Sequence, residues 1–194
     1  MAVKETELAE RLLDVITYDI IPLTRVGVAA GNKVFGAAIL RKSDLSLVIA
    51  GTNAEIDNPL WHGEVAMLKA FYEMPAVDRP ATSECLFLST HEPCSLCLSA
   101  ITWAGFDNFH YFFGYEATRD TFDIPHDLRI LHEVFKVENG AYNRQNAFWT
   151  AHDLMAVCDS TPHLRTHAAE IKKAYVDLSR TYQDTKDRGD IPLR

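Results

Sequence analysis

No apolar run in the 194-residue chain is long enough to form a leader-peptide core or a membrane span, and the opening stretch, MAVKETELAE, is charged. Membrane functions are set aside on that ground, and a soluble protein of the cytoplasm is expected. Cysteine is scarce: Cys85, Cys94, Cys97 and Cys158 are too few for a disulfide scaffold. Reduced thiols are expected, which leaves metal binding, redox chemistry or packing as their uses. Basic charge is not in excess either, with 19 Lys and Arg against 27 Asp and Glu and a net charge of −8. A field of that sign repels phosphate-rich polymers, so nucleic acid is not the expected partner. Internal repeats, low-complexity tracts and linkers rich in Gly, Pro or Ser are absent, and one continuous domain over residues 1–194 is expected.

What is present alternates. Leu8, Leu12, Val15 and Ile16 recur at helical spacing in residues 5–18, and KVFGAAIL and LSLVIAG are β-prone runs joined by RKSD, a hairpin signal. A helix is predicted over 62–73, with Val65, Leu68 and Phe71 inward. Then come a buried-type strand in ECLFLST, a helix from CSLC to Gly105 and a strand in NFHYFFGY. Strand, helix and strand in this order predict an α/β layered fold with part of the sheet parallel. Sites in such sheets gather at the carboxyl ends of strands. After Tyr115 the pattern loosens into a long connection that can cover a pocket. Two helices are predicted to close the chain, over 144–158 and from Thr161-Pro162, the latter with an apolar stripe at Ile171, Tyr175, Leu178 and Tyr182.

The chemistry concentrates in STHEPCSLCLSA and NPLWHGEVAML. Cys94 and Cys97 stand three positions apart, so on a helix they differ by about 300° and project from nearly one side. Pro93 fits the helix entrance, where free N–H groups favour the thiolate that binds metal. Two thiolates do not complete a zinc site, and His62 is the best third ligand. Three protein ligands leave one position open, as catalytic rather than structural zinc requires. Glu64, two residues after His62, is placed to carry a proton without ligating the metal. Cys85 and Cys158 read as core residues.

HGE followed by PCSLC resembles the H-x-E…P-C-x-x-C signature of zinc-dependent nucleobase deaminases. The chain is similar to the cytidine deaminase-like superfamily over about residues 5–135, leaving a C-terminal helical extension at about 140–190. The resemblance implies a three-layer α/β/α sandwich around a central mixed sheet of about five strands. It also implies Zn2+ on His62, Cys94 and Cys97, with Glu64 as the catalytic proton shuttle. FGAAI from Phe35 resembles the family's F-G-A segment, and Asn53 resembles the asparagine that holds the base. SAITWAG looks most like the guanine deaminase branch of the nucleobase and nucleoside deaminases, which places Trp103 against a purine. Phe122-Asp123 resembles that branch's F-D pair, whose aspartate contacts the base. His91 occupies a position usually apolar or small; substrate contact and a supporting place behind the metal are both open readings. Gly63 stands where alanine is commoner.

Hydrolytic deamination of a small nucleobase or nucleoside follows from the resemblance, with a purine such as guanine or guanosine as first choice and a homodimer as the expected assembly. The alternatives are deamination of adenosine in transfer RNA, deamination of cytosine or cytidine, and a non-catalytic protein that uses zinc as a staple.

Overall fold

The computed structural model describes residues 4–188 and 191–193, so the outermost positions of the expected 1–194 span lie outside it. Its centre is a five-stranded sheet in the order β2-β1-β3-β4-β5. The strands are β1 (Gly36–Arg41), β2 (Leu47–Thr52), β3 (Cys85–His91), β4 (Asn108–Phe113) and β5 (Thr150–Asp153). β1 runs antiparallel to β2 and β3, whereas β3, β4 and β5 are mutually parallel. The sheet is therefore mixed, as expected, and RKSD does lie in the hairpin between β1 and β2.

Alternation along each strand splits the core into two layers. From β1 and β3, Ala38, Leu40, Leu86 and Leu88 join one apolar cluster. Their neighbours Ala37, Ile39, Cys85 and Phe87 join the other. The first face is covered by α1 (Glu5–Val15), α2 (Ile21–Ala29), α7 (Leu154–Cys158) and α8 (Pro162–Thr185). The second is covered by α3 (Gly63–Glu73) and α4 (Ser95–Trp103). Together they make the three-layer sandwich. Among the described residues no helix is long and apolar enough to cross a membrane.

Several boundaries depart from the periodicity. The first helix does not stop near residue 18. It widens into a π-turn over Ile16–Ile20, where the Ile21 N–H reaches back to Ile16 O, and then continues as α2. Pro22 explains the widening, because it has no N–H for the carbonyl four residues earlier. The helix expected over 144–158 is instead an irregular loop, the edge strand β5 and the short α7. Trp149 is buried against Phe109 and donates its indole N–H to Thr102 Oγ1 at 2.7 Å, so its bulk serves the core. The stripe on α8 packs against its own sheet, with Ile171, Tyr175, Leu178 and Tyr182 all buried in the first cluster. The loose connection after Tyr115 forms α5 (Tyr115–Asp120) and α6 (His126–Phe135).

Candidate metal centre and active site

Two helix entrances meet beyond the carboxyl end of β3. His62 is the N-cap residue of α3 and Glu64 lies in its first turn; Cys94 is the N-cap residue of α4, with Cys97 one turn on. The entrances approach closely because position 63 is glycine: a Cβ there would sit 2.7 Å from Phe35 O and 3.0 Å from Gly36 N. The backbone that comes this close is the start of β1.

The ligand atoms form a triangle. Cys94 Sγ lies 3.4 Å from His62 Nδ1 and 3.6 Å from Cys97 Sγ, and Cys97 Sγ lies 3.7 Å from His62 Nδ1. Zinc bonds of about 2.3 Å to sulfur and about 2.0 Å to nitrogen, at tetrahedral angles, require sulfurs about 3.8 Å apart and sulfur–nitrogen separations of about 3.5 Å. The triangle fits one face of that tetrahedron. Among the described residues, these three are the one group of His, Cys, Asp and Glu side chains gathered tightly enough to hold an ion.

Glu64 is buried beside this face, with Oε2 3.2 Å from Cys97 Sγ. Burial, with the Cys94 charge second, raises its pKa above the usual carboxylate range. Ser89 Oγ lies 2.9 Å from Glu64 Oε1 and 2.6 Å from His91 O. A hydroxyl has one proton to give. Ser89 therefore donates to Glu64 when the carboxylate is ionised, and to His91 O when protonated Glu64 donates to it.

Charge in the triangle is uneven. The bond from the Cys97 thiol, which outweighs the burial penalty, and the bond to His62 hold Cys94 well below the ordinary thiol range. Burial and the Cys94 anion push Cys97 up. Burial pulls His62 down, but the Cys94 thiolate and the carboxylates of Glu55 and Glu64 raise it to about 9. Binding of a cation to these three atoms displaces the protons they carry.

The metal loop is braced from behind. Glu92 is buried and accepts from Arg144 Nε at 3.0 Å, Arg144 Nη2 at 2.7 Å and the Tyr142 hydroxyl at 2.9 Å, while the Tyr115 N–H reaches its other oxygen at 3.2 Å.

The profile of the cytidine and deoxycytidylate deaminase zinc-binding region matches residues 22–113, the stretch that contains His62, Glu64, Cys94 and Cys97. Over that stretch the chain resembles the cytidine deaminase-like superfamily. His62, Cys94 and Cys97, which lie within the matched stretch, are positioned to bind a metal ion. Solved structures share the fold at low identity. The guanine deaminase of Nitrosomonas europaea is 17% identical with a TM-score of 0.51, covering 91% of this chain and 86% of that one. The guanine deaminase of Bacillus subtilis is 21% identical with a TM-score of 0.50, covering 69% and 85%. A mutant protein in complex with 8-azaguanine is 18% identical with a TM-score of 0.55, covering 86% and 84%. No curated protein matches the chain in sequence.

Within this cytidine deaminase-like protein, the residues expected around a base are only partly brought together. Beside the metal ligands a cavity of about 330 Å³ is lined by Phe35, Lys33, Glu55, His62, Cys94 and Asp127, among others. Phe35, from the FGAAI segment, lines this cavity. Asn53 is fully buried and does not line the cavity: its amide donates to Glu55 Oε2 at 2.6 Å and its carbonyl accepts from the Glu55 N–H at 3.1 Å. His91 lies behind the metal loop, its ring enclosed by Phe35, Phe113, Phe122 and Tyr175.

Two expectations are corrected. Trp103 is 89% exposed on the outside of α4. Six helical residues rotate it about 240° from Cys97, which turns it away from the metal. Asp123 sits at a left-handed turn with φ +55°, its side chain 81% exposed and 3.7 Å from Lys186 Nζ. Phe122 from the same pair is buried against His91.

Like Glu55, Asp127 at the start of α6 is a carboxylate that does line the cavity. Burial and the negative Cys94 raise its pKa well above the ordinary value. Its sequence signal, an acidic residue in the first turn of an amphipathic helix, is indistinguishable from ordinary dipole compensation. Lys33 and Glu55 were also missed, because charged residues beside turn-formers read as solvated loop. A larger cavity of about 660 Å³, lined in part by His110, His152 and Asp107, contains none of the metal-ligating residues.

Proposed function

We propose that the protein is a hydrolytic deaminase of a small nucleobase or nucleoside, with a purine such as guanine as the preferred substrate and ammonia as the product. The observation that carries this reading is the buried Glu64 carboxyl beside a ligand triangle that uses three positions of a tetrahedron. A structural zinc site would close the fourth position with a protein side chain.

Zinc held by His62, Cys94 and Cys97 supplies a Lewis acid that brings the pKa of a coordinated water to about 7. Phe35 offers an apolar wall for a planar base, and Asp127 a polar contact in the same cavity. Glu64 takes one proton from the attacking water at its Oε2 side and gives it to the ring nitrogen, then takes the second from the hydroxyl added to the ring carbon and gives it to the amine, which leaves as ammonia. Its raised pKa suits both directions of that transfer. Ser89 keeps the carboxyl aimed in both protonation states. Asn53 acts through Glu55, which it holds, rather than on the base directly.

A homodimer in the cytoplasm fits this reading. Trp103 leaves apolar surface exposed on the outside of α4, and a second copy would cover it. Thiolate ligands also require a reducing compartment when they are without metal.

The test is ammonia release by zinc-loaded protein from a panel of amino-purines and amino-pyrimidines. Turnover of at least one purine is expected. Glu64→Gln should keep its zinc and lose activity by about 10²- to 10⁴-fold. Absence of ammonia from every member of the panel would sink the proposal.

A further inference from the structure

Lys33 and Glu55 are each only 4% exposed, yet both line the cavity beside His62. Their ion pair is close, with Lys33 Nζ 3.0 Å from Glu55 Oε1. Removing two charges from water is costly, and a buried pair is often replaceable by apolar residues of similar volume. A pair kept on the wall of a cavity, rather than inside packed core, therefore calls for a use there.

The pair is anchored and incompletely saturated. Asn53 fixes Glu55 Oε2 from behind at 2.6 Å, and Glu55 Oε1 also lies 3.6 Å from His62 Nε2. An ammonium has three donors and a carboxylate about four acceptor positions. The hydrogen bonds described use one Lys33 donor and one acceptor position on each Glu55 oxygen. An acceptor and a donor remain side by side, rigidly held, next to the metal site.

We infer that Lys33 and Glu55 form a specificity-determining pair that reads a lactam edge, –NH–C(=O)–, of the substrate ring. The inference rests on the deaminase reading and narrows it to 2-amino-6-oxo purines. Guanine offers N1–H to Glu55 and O6 to Lys33. Adenine and cytosine present an unprotonated ring nitrogen beside the reacting amine, which a carboxylate repels. Polar groups left unpaired in a closed cavity reject a ligand far more strongly than a lost apolar contact does.

Binding separates the pair's role from turnover. Hypoxanthine carries the lactam edge without an amine to lose; unsubstituted purine carries neither. Calorimetric titration of zinc-loaded protein should show hypoxanthine bound at least about tenfold tighter than purine. The double variant K33M/E55Q removes the charges together, so neither is stranded, and Gln keeps an acceptor for Asn53. It should bind purine as the parent does and lose the tenfold preference, with zinc content unchanged. If the double variant does not fold, Glu55→Gln alone should narrow the same preference at full zinc occupancy. Equal binding of the two ligands by the parent, or an unchanged preference in the variants, would overturn the inference. Both readouts are independent of ammonia release. A failure of the deaminase reading would show in the substrate panel, whereas a failure of edge reading would leave guanine turnover intact in K33M/E55Q.

Discussion

Replacing His91 with leucine should make the protein markedly less sensitive to acid. The imidazole is buried among four aromatic rings, and burial lowers its pKa from 6.5 to about 3. Its polar contact is Nδ1 to Thr90 Oγ1 at 3.0 Å, while Nε2 has no partner. Below pH 6.5 the unfolded chain protonates this residue and the folded chain does not. The unfolded state then holds more protons, so stability falls as pH falls, from about 6.5 down to about 3, where the folded state protonates too. Between pH 7.5 and 5.5 the loss integrates to about 1.4 kcal/mol for one histidine. His110, also lowered to about 3 by burial, adds a second loss of similar size. Urea denaturation of parent and His91→Leu at both pH values, in the same excess of zinc, isolates the first contribution, because metal-linked losses are common to both proteins. At pH 7.5 the variant should be within about 1 kcal/mol of the parent, since the lost Thr90 bond is offset by removal of the orphaned nitrogen. A fall in stability between the two pH values equal to the parent's would refute the placement of a neutral, enclosed imidazole.

Three further outcomes are expected. Gly63→Ala drives a Cβ to 2.7 Å from Phe35 O and should cost about 1–3 kcal/mol in thermal or urea unfolding, whereas Gly31→Ala is strained by its φ of +102° rather than by contact. Arg144→Met removes a bidentate partner from buried Glu92; with Arg144 itself nearly half exposed, a loss of about 1–2 kcal/mol is expected, together with weaker zinc retention against a chelator. Arg144→Lys should restore only part of both, because an ammonium does not reproduce the two-point contact. Ser89→Ala should leave zinc content unchanged and lower kcat by about tenfold, as Glu64 loses the hydroxyl that aims it; an unaltered kcat would remove Ser89 from the proton path.

Legibility followed the range of the interactions. His62, Glu64, Cys94 and Cys97 could be read from sequence because two short spacings, each set by a helix entrance, carry all the chemistry and need only one long-range contact to assemble. The strands through Cys85–His91 and Asn108–Phe113 were legible for a similar reason: both faces are buried, so each is a continuous apolar run. The stretch 144–158 was not, since Phe148, Ala151, Met155 and Cys158 satisfy a helical period while the backbone there is held by partners distant in sequence, the Thr150 N–H by Asp107 O and β5 by its ladder with β4. The cavity wall was the least legible part. Asp127 and Lys33 are brought to it by turns whose direction depends on tertiary packing, and motif resemblance drew attention to Asp123 and Trp103 in their stead. The displacement of Asn53 is the most informative case. A residue expected to hold the base has both ends of its amide engaged by Glu55, two positions later, so the groups that line the cavity there are Lys33 and Glu55. The proposed reading of a lactam edge follows from that exchange of places, and the substrate whose edge complements a donor beside an acceptor is the one to try first.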